Sequence, residues 1–203
     1  MRGFKLVNLM QLLEEVGEDV TKDILSSFSC PLNSDVEIFL RHKAIEFSRQ
    51  GLSQTHLVFA SYKEEWVLVA YFTLANKYIS VSAADGNITS RVRKRISRFS
   101  VFDKRTKTYY LSAPLIAQLG KNFSNGYHKL ISGDELLDIA CEKVKYIQLE
   151  LGGRFVYLEC EDKPKLIQFY QDNGFFEFDK RPLDRDEAFI DEKYLVQMLR
   201  YMQ

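Results

Sequence analysis

The chain has 203 residues, 46% hydrophobic and 28% charged, which suits one α/β domain with a packed core and excludes a disordered polymer. Its 28 basic and 28 acidic side chains cancel, so overall charge makes no case for nucleic-acid or membrane binding. Cys30, Cys141 and Cys160 are too scattered for a CxxC or Cys/His zinc pattern and read as reduced, partly buried thiols. No apolar run after Met1-Arg2-Gly3-Phe4-Lys5 is long enough for a signal peptide or a membrane span, so a cytoplasmic location is expected.

In chain order, Phe4 to Val7 reads as a short strand and Leu9 to Val16 as one or two helical turns. Asn33 and Ser34 offer helix caps. Val36, Phe39, Leu40, Ala44 and Phe47 then recur at helical spacing up to the stop at Gly51. Thr55–Ser61 and Trp66–Leu74 are strand-like, with Tyr62-Lys63-Glu64-Glu65 between them as a hairpin turn. Residues 76–108 are polar, basic and weakly periodic and read as an insertion. A third strand run spans Tyr109 to Gly120.

Ser132-Gly133-Asp134-Glu135 has the spacing of a capping box, and Leu136, Leu137, Ala140, Val144, Ile147 and Leu151 mark one face of the helix that follows. A strand is expected over Arg154 to Cys160. Asp162 is placed to cap the next helix, with Pro164 in its first turn and Asn173-Gly174 at its end. The tail adds strand-like Phe175 to Phe178, a charged stretch over 179–193, and a last apolar run, Tyr194 to Tyr201. An antiparallel half followed by strand–helix–strand–helix predicts an α/β fold, a mixed central sheet with helices on both faces, in a single domain over 1–203.

This order resembles the GNAT N-acetyltransferase fold, and three segments sharpen the likeness. Phe169-Tyr170-Gln171-Asp172-Asn173-Gly174-Phe175 looks like the family's FYxxxGF segment, whose tyrosine is delivered toward the CoA sulfur. Leu115-Ile116-Ala117-Gln118-Leu119-Gly120-Lys121 resembles the fourth strand, whose backbone holds the acetyl and pantetheine groups. Phe28-Ser29-Cys30, Phe39-Leu40, Ala44, Gly51-Leu52-Ser53-Gln54-Thr55 and Ala70-Tyr71-Phe72-Thr73-Leu74 are similar to the N-terminal half of GNAT toxins from bacterial toxin–antitoxin pairs. The family's pyrophosphate loop, Q/R-x-x-G-x-G/A, is matched only at Gly133. The aligned stretch reads His128-Lys129-Leu130-Ile131-Ser132-Gly133, and the loop from Asn122 is lengthened.

The resemblance implies acetyl-CoA as co-substrate, no metal, and Tyr170 as proton donor to the departing thiolate, a role a phenol can fill because it stays protonated near neutrality. Leu119, Gly120 and Lys121 would contribute backbone to pantetheine and to the oxyanion. Lys129, Ser132, Gly133 and Asp134 would meet the pyrophosphate at the helix end. The residues alone also allow a core aromatic at Tyr170 and an ordinary buried strand ending at Gly120. Asp134 and Glu135 would compete with an anion, with helix capping as their simpler role. Glu150, Glu159, Glu161 and His56 are unspecific candidates for a general base, and His42, His56 and His128 read better as surface or packing residues.

Arg91, Arg93, Lys94, Arg95 and Arg98, with Lys104, Arg105 and Lys107, form the one strong charge cluster, either a solvated surface or a contact to RNA phosphate. The acidic residues Asp184, Asp186, Glu187, Asp191 and Glu192 balance it elsewhere in the chain. The toxins resembled here acetylate the amino group of aminoacyl-tRNA. The resemblance therefore implies an acetyltransferase with an amine acceptor, aminoacyl-tRNA first among the candidates, and it brings an antitoxin partner and a homodimer into view. The alternative is a non-catalytic GNAT-like binding or regulatory protein with a degenerate pyrophosphate loop.

Overall fold

A computed structural model describes residues 3–83, 88–184 and 193–202. Of the acidic tail residues, Asp186, Glu187, Asp191 and Glu192 lie outside the described residues. The elements run β1 (Phe4–Asn8), α1 (Leu9–Val16), α2 (Glu18–Ser26), α3 (Ser34–Ile38), α4 (Ala44–Arg49), β2 (Gln54–Tyr62), β3 (Glu65–Ser82), α5 (Ser90–Ile96), β4 (Val101–Asp103), β5 (Thr108–Lys121), α6 (Gly133–Leu151), β6 (Phe155–Glu161), α7 (Pro164–Asp172), β7 (Phe176–Pro182) and β8 (Tyr194–Tyr201). The strands form one mixed sheet in the order β1-β2-β3-β5-β6-β8-β7, with β4 paired to β5. The chain divides into two compact units, Met1–Ala75 with Ile116–Ala140, and Asn76–Leu115 with Cys141–Gln203.

In the first unit, β1, β2 and β3 pair antiparallel. Lys63 and Glu64 both have positive φ, +50° and +68°, the two-residue turn that matches the twist of paired strands. The Asn33 side chain caps α3 by accepting from the Asp35 and Val36 N–H groups, as its position in the sequence predicts. The helix expected to run on to Gly51 does so, but it widens to π-helical winding over Phe39–Lys43 between α3 and α4. Leu9, Leu25, Phe28, Leu40, Leu57 and Tyr71 are among the buried side chains that join these helices to the sheet.

In the second unit, β8 lies between β6 and β7 and is antiparallel to both. Ile88, Val92 and Ile96 pack around α5 with Ile79, Val81, Leu111, Phe155 and Tyr157. Arg200, on the opposite face of β8 from Leu199, reaches Cys141 of α6 and the Phe175 ring, so α5 covers one face and, over β6 to β8, α6 with α7 cover the other.

Three expectations need correction. β3 does not end near Leu74 but continues to Ser82, because Ile79 and Val81 point inward while Tyr78 and Ser80, which alternate with them, face out. Segment 76–108 carries this strand end, α5 and β4. Asp162 does not cap α7: Lys163 stands at the cap position and its side chain pairs with Glu161 instead of capping the helix, while Asp162 accepts from Lys180 Nζ at 2.6 Å. All three cysteines are buried, and burial pushes the Cys160 thiol up to about 12.

Candidate active site

The end of β5 is built around a close approach. A Cβ placed on Gly120 would lie 2.3 Å from Val36 Cγ1 and 3.4 Å from ring atoms of both Phe28 and Tyr71. Glycine is therefore required here by packing, since the stiff branched side chain of Val36 occupies the space a methyl would need. The Tyr71 hydroxyl donates to the Val36 carbonyl at 2.5 Å and Gln118 Nε2 donates to Asp35 Oδ2 at 2.9 Å, which fixes α3 against β3 and β5. Leu119 and Lys121 are half-buried on either side of Gly120.

Beyond Lys121 the chain is anchored by Asn122, which is fully buried. Its Oδ1 accepts from the Ser29 and Ser124 N–H groups at 3.0 Å each. Its Nδ2 donates to the Leu68 carbonyl at 2.8 Å, and its backbone N–H to the Val69 carbonyl at 2.7 Å. The lengthened loop then turns through 3-10 winding over Ser124–Leu130, with Asn125 and Gly126 at positive φ. His128 stacks on Phe123, with ring centroids 4.4 Å apart, and Lys129 is exposed. Lys121 Nζ donates to the Ile131 carbonyl at 3.2 Å and closes the loop.

At the start of α6 the capping box forms in full. Glu135 N–H donates to Ser132 Oγ at 3.0 Å, and Ser132 N–H donates to Glu135 Oε2 at 2.8 Å. Two of the N–H groups that an anion would use at this helix end are taken by side chains of the chain itself. Asp134 is exposed in the same first turn.

In the second unit, Tyr170 lies on the inner face of α7. Its ring makes edge contacts with Phe169 and Phe175, at 5.0 and 5.8 Å between centroids, and only 8% of the residue is exposed. Burial, with the Cys160 thiol nearby, pushes its phenol well above the usual tyrosine value, so Tyr170 is protonated throughout the physiological range. Asn173 ends the helix, and Gly174 follows at φ +79°.

Of the base candidates, Glu159 is committed elsewhere. Arg181 donates to both its carboxylate oxygens, and Tyr157 OH hydrogen-bonds to Oε1 as well. Burial works to raise the carboxyl, but the bonds from Arg181 and Tyr157 outweigh it and hold the group below the ordinary glutamate range, which makes it a poor proton acceptor. Glu161 pairs with Lys163, His56 is buried and stacked on Phe72, and Glu150 is exposed near the end of α6. His42 is exposed.

Of the basic cluster, Arg91, Lys94, Arg98, Lys104, Arg105 and Lys107 are exposed. Arg95 instead lies over the Tyr201 ring at 4.4 Å, and Arg93 Nε is buried without a hydrogen-bond partner among the described residues. Arg93 and Arg95 therefore belong partly to packing, and the exposed charge begins at Arg91 and Lys94.

No family model matches the chain, and no curated protein matches it by sequence. Solved structures do match. AtaT complexed with acetyl-methionyl-tRNAfMet superposes with a TM-score of 0.61 at 15% identity, covering 95% of this chain and 93% of that one. A tyrosine-to-phenylalanine mutant of KacT gives 0.60 at 12% identity, with 96% and 94% covered. An AtaT mutant toxin bound to the C-terminus of the antitoxin AtaR and acetyl-CoA gives 0.55 at 16% identity, with 96% and 92% covered. The fold is the GNAT acyltransferase fold. Within it, sequence reasoning placed Tyr170, Gly120 and the Ser132–Glu135 box on the elements where they stand. It missed Asn122 and the Glu159–Arg181 pair, for which short-range sequence spacing gives no signal.

Proposed function

We propose that this protein transfers acetyl from acetyl-CoA to a primary amine, and that the amine is the amino group of an aminoacyl-tRNA. The observation that carries the reading is Tyr170, a buried phenol on the inner face of α7 in a GNAT fold, packed against Phe169 and Phe175. AtaT, which shares the fold, is solved with acetyl-methionyl-tRNAfMet and with acetyl-CoA, and this supports both the donor and the acceptor class. An antitoxin partner follows from the same likeness, and the reading takes the protein as cytoplasmic and as one domain.

In the proposed reaction the neutral amine attacks the thioester carbonyl. The C–N bond forms, the C–S bond breaks, the amine proton leaves to water, and the CoA thiolate takes the Tyr170 proton, which water restores. Backbone of Leu119, Gly120 and Lys121 would meet the acetyl and pantetheine groups. Lys129, Ser132, Gly133 and Asp134 would meet the pyrophosphate. The exposed cations Arg91 and Lys94 would contact acceptor phosphates.

The test is incubation with labelled acetyl-CoA and charged tRNA, together with thermal shift. At about 100-fold over its dissociation constant, acetyl-CoA adds roughly 2.7 kcal/mol of stability. An absent shift at millimolar acetyl-CoA sinks the reading. Reversing Arg91 and Lys94 to Glu is expected to flatten the salt dependence of acceptor binding. The second reading, a non-catalytic GNAT-like binding protein, is favoured by one observation: Ser132 and Glu135 bond to each other where the pyrophosphate would dock.

A further inference from the structure

The far ends of β3 and β5, both in the second unit, present two unlike faces. Ile79 and Val81 of β3 and Leu111 and Ala113 of β5 are buried in the core beneath α5. The residues that alternate with them, Asn76, Tyr78 and Ser80 on β3 and Tyr110 and Ser112 on β5, point to the other face. Two cross-strand contacts mark that face. Ser112 Oγ bonds to Asn76 Oδ1 at 2.8 Å, and the Tyr78 and Tyr110 rings lie parallel within 5° with centroids 5.8 Å apart. Tyr78 is 67% exposed. Val101 of β4, paired opposite Tyr110, is exposed as well.

We propose that this open sheet face is a stacking platform for unpaired RNA bases, a step that rests on the reading of an RNA-borne acceptor. Exposed aromatic rings on a sheet bind bases through their flat faces whatever the sequence, and do so best where cations can hold the backbone. Tyr78 is exposed, Tyr110 is half-buried beside it, and cations stand close by. Lys104, Arg105 and Lys107 are exposed on the turn between β4 and β5, where the Asp103 carboxylate accepts from the Arg105 N–H at 2.8 Å. Lys107 is three residues from Tyr110, about 10 Å along a strand.

The surroundings of the rings favour RNA over a protein partner. Asn76, Ser80 and Ser112 supply hydroxyl and amide groups suited to ribose 2′-hydroxyls. Val101 is the single aliphatic side chain in this set, whereas the buried centre of a stable protein interface is mostly apolar. The platform binds unpaired nucleotides, and it gives the basic segment a way to distinguish a single-stranded end from a duplex.

The test is fluorescence anisotropy of the full chain with a labelled single-stranded RNA 12-mer, the same sequence as DNA, and a blunt RNA duplex. The single-stranded RNA is expected to bind best. Tyr78→Ala and Tyr110→Ala are each expected to weaken it about 10-fold or more, while Tyr78→Trp keeps binding and the salt slope of all three stays at the parent value. Lys104→Glu with Lys107→Glu is expected to flatten the slope instead. Unchanged affinity in both alanine variants, equal binding of duplex or DNA, or alanine variants that lose self-association rather than RNA would overturn the platform. Acetyl-CoA thermal shift on the same variants separates the two readings: a shift retained with RNA binding unaffected by the alanines sinks the platform alone, and no shift in the parent protein sinks the acetyltransferase.

Discussion

Arg181 holds the Glu159 carboxylate with two hydrogen bonds, Nε to Oε1 at 2.8 Å and Nη2 to Oε2 at 2.6 Å, and both side chains are largely buried. Gln197 joins them by donating to the Tyr157 hydroxyl at 2.7 Å, so one cluster links β6, β7 and β8. Removing one member strands a charge in a desolvated place. Arg181→Met is expected to cost roughly 3 kcal/mol near neutral pH. The sign of the pH dependence follows from the depressed Glu159 pKa. The pair's stabilisation is complete above the ordinary glutamate value of about 4.3 and fades as pH falls through the lower folded value. Urea unfolding of the parent and variant chains should therefore show a gap that narrows below about pH 4. A gap independent of pH would assign the loss to packing.

Gly120 and Val36 make a second testable pair. Gly120→Ala places a methyl within 2.3 Å of Val36 Cγ1, and neither the strand nor the branched side chain gives way easily. A cost of about 1–3 kcal/mol is expected. Val36→Ala alone leaves a small cavity, but combined with Gly120→Ala it should recover part of the loss, because the added methyl fills the vacated space. The measurement is a double-mutant cycle by denaturant unfolding. Strict additivity of the two losses would show that Gly120 is tolerated for a reason other than Val36.

What could be read from the sequence was what is local. The hairpin over Gln54–Ser82 shows in strand patterning on either side of Lys63-Glu64, and the box at Ser132 and Glu135 shows in a three-residue spacing. The helix that carries Tyr170 was legible because Pro164 at its start and Asn173-Gly174 at its end mark its two boundaries. Asn122 was not, since its partners Ser29 and Leu68 are far away in the chain and only the folded strand ends bring them together. The far end of β3 was hidden for a different reason: Lys77, Tyr78 and Ser80 look like loop residues until the buried Ile79 and Val81 that flank Ser80 are seen. The need for glycine at position 120 came from Val36 on another element, which no pattern around Gly120 reveals.

The capping box sets stability against anion binding at one place. Ser132→Ala removes the acceptor for the Glu135 N–H and should cost about 1 kcal/mol. Glu135→Gln keeps an oxygen able to accept from the Ser132 N–H but removes a negative charge from the first turn of α6. If pyrophosphate docks there, acetyl-CoA should bind the Gln variant several-fold more tightly, and the gain should shrink in high salt. Calorimetry at two ionic strengths measures it. Unchanged affinity at low salt would place the pyrophosphate away from this helix end.

Tyr170→Phe is the sharpest test of the chemistry. The change removes one hydroxyl, and the edge contacts with Phe169 and Phe175 use the ring rather than the oxygen. The fold should therefore survive with a loss of at most about 1 kcal/mol. In the proposed reaction the hydroxyl acts only as the thiolate forms, so kcat should fall by about 100-fold or more while the apparent affinity for acetyl-CoA changes little. Burial holds the Tyr170 proton far above neutrality, so the parent protein should show no loss of acetyl transfer from Tyr170 ionisation as pH rises through 9. A deprotonated phenol could not donate, and a low pKa would have produced such a loss. The comparison needs the Phe variant's melting curve beside its rate, so that unfolding is not counted as lost catalysis. Full activity in a folded Phe variant would remove Tyr170 from the mechanism and leave water as the donor to the thiolate.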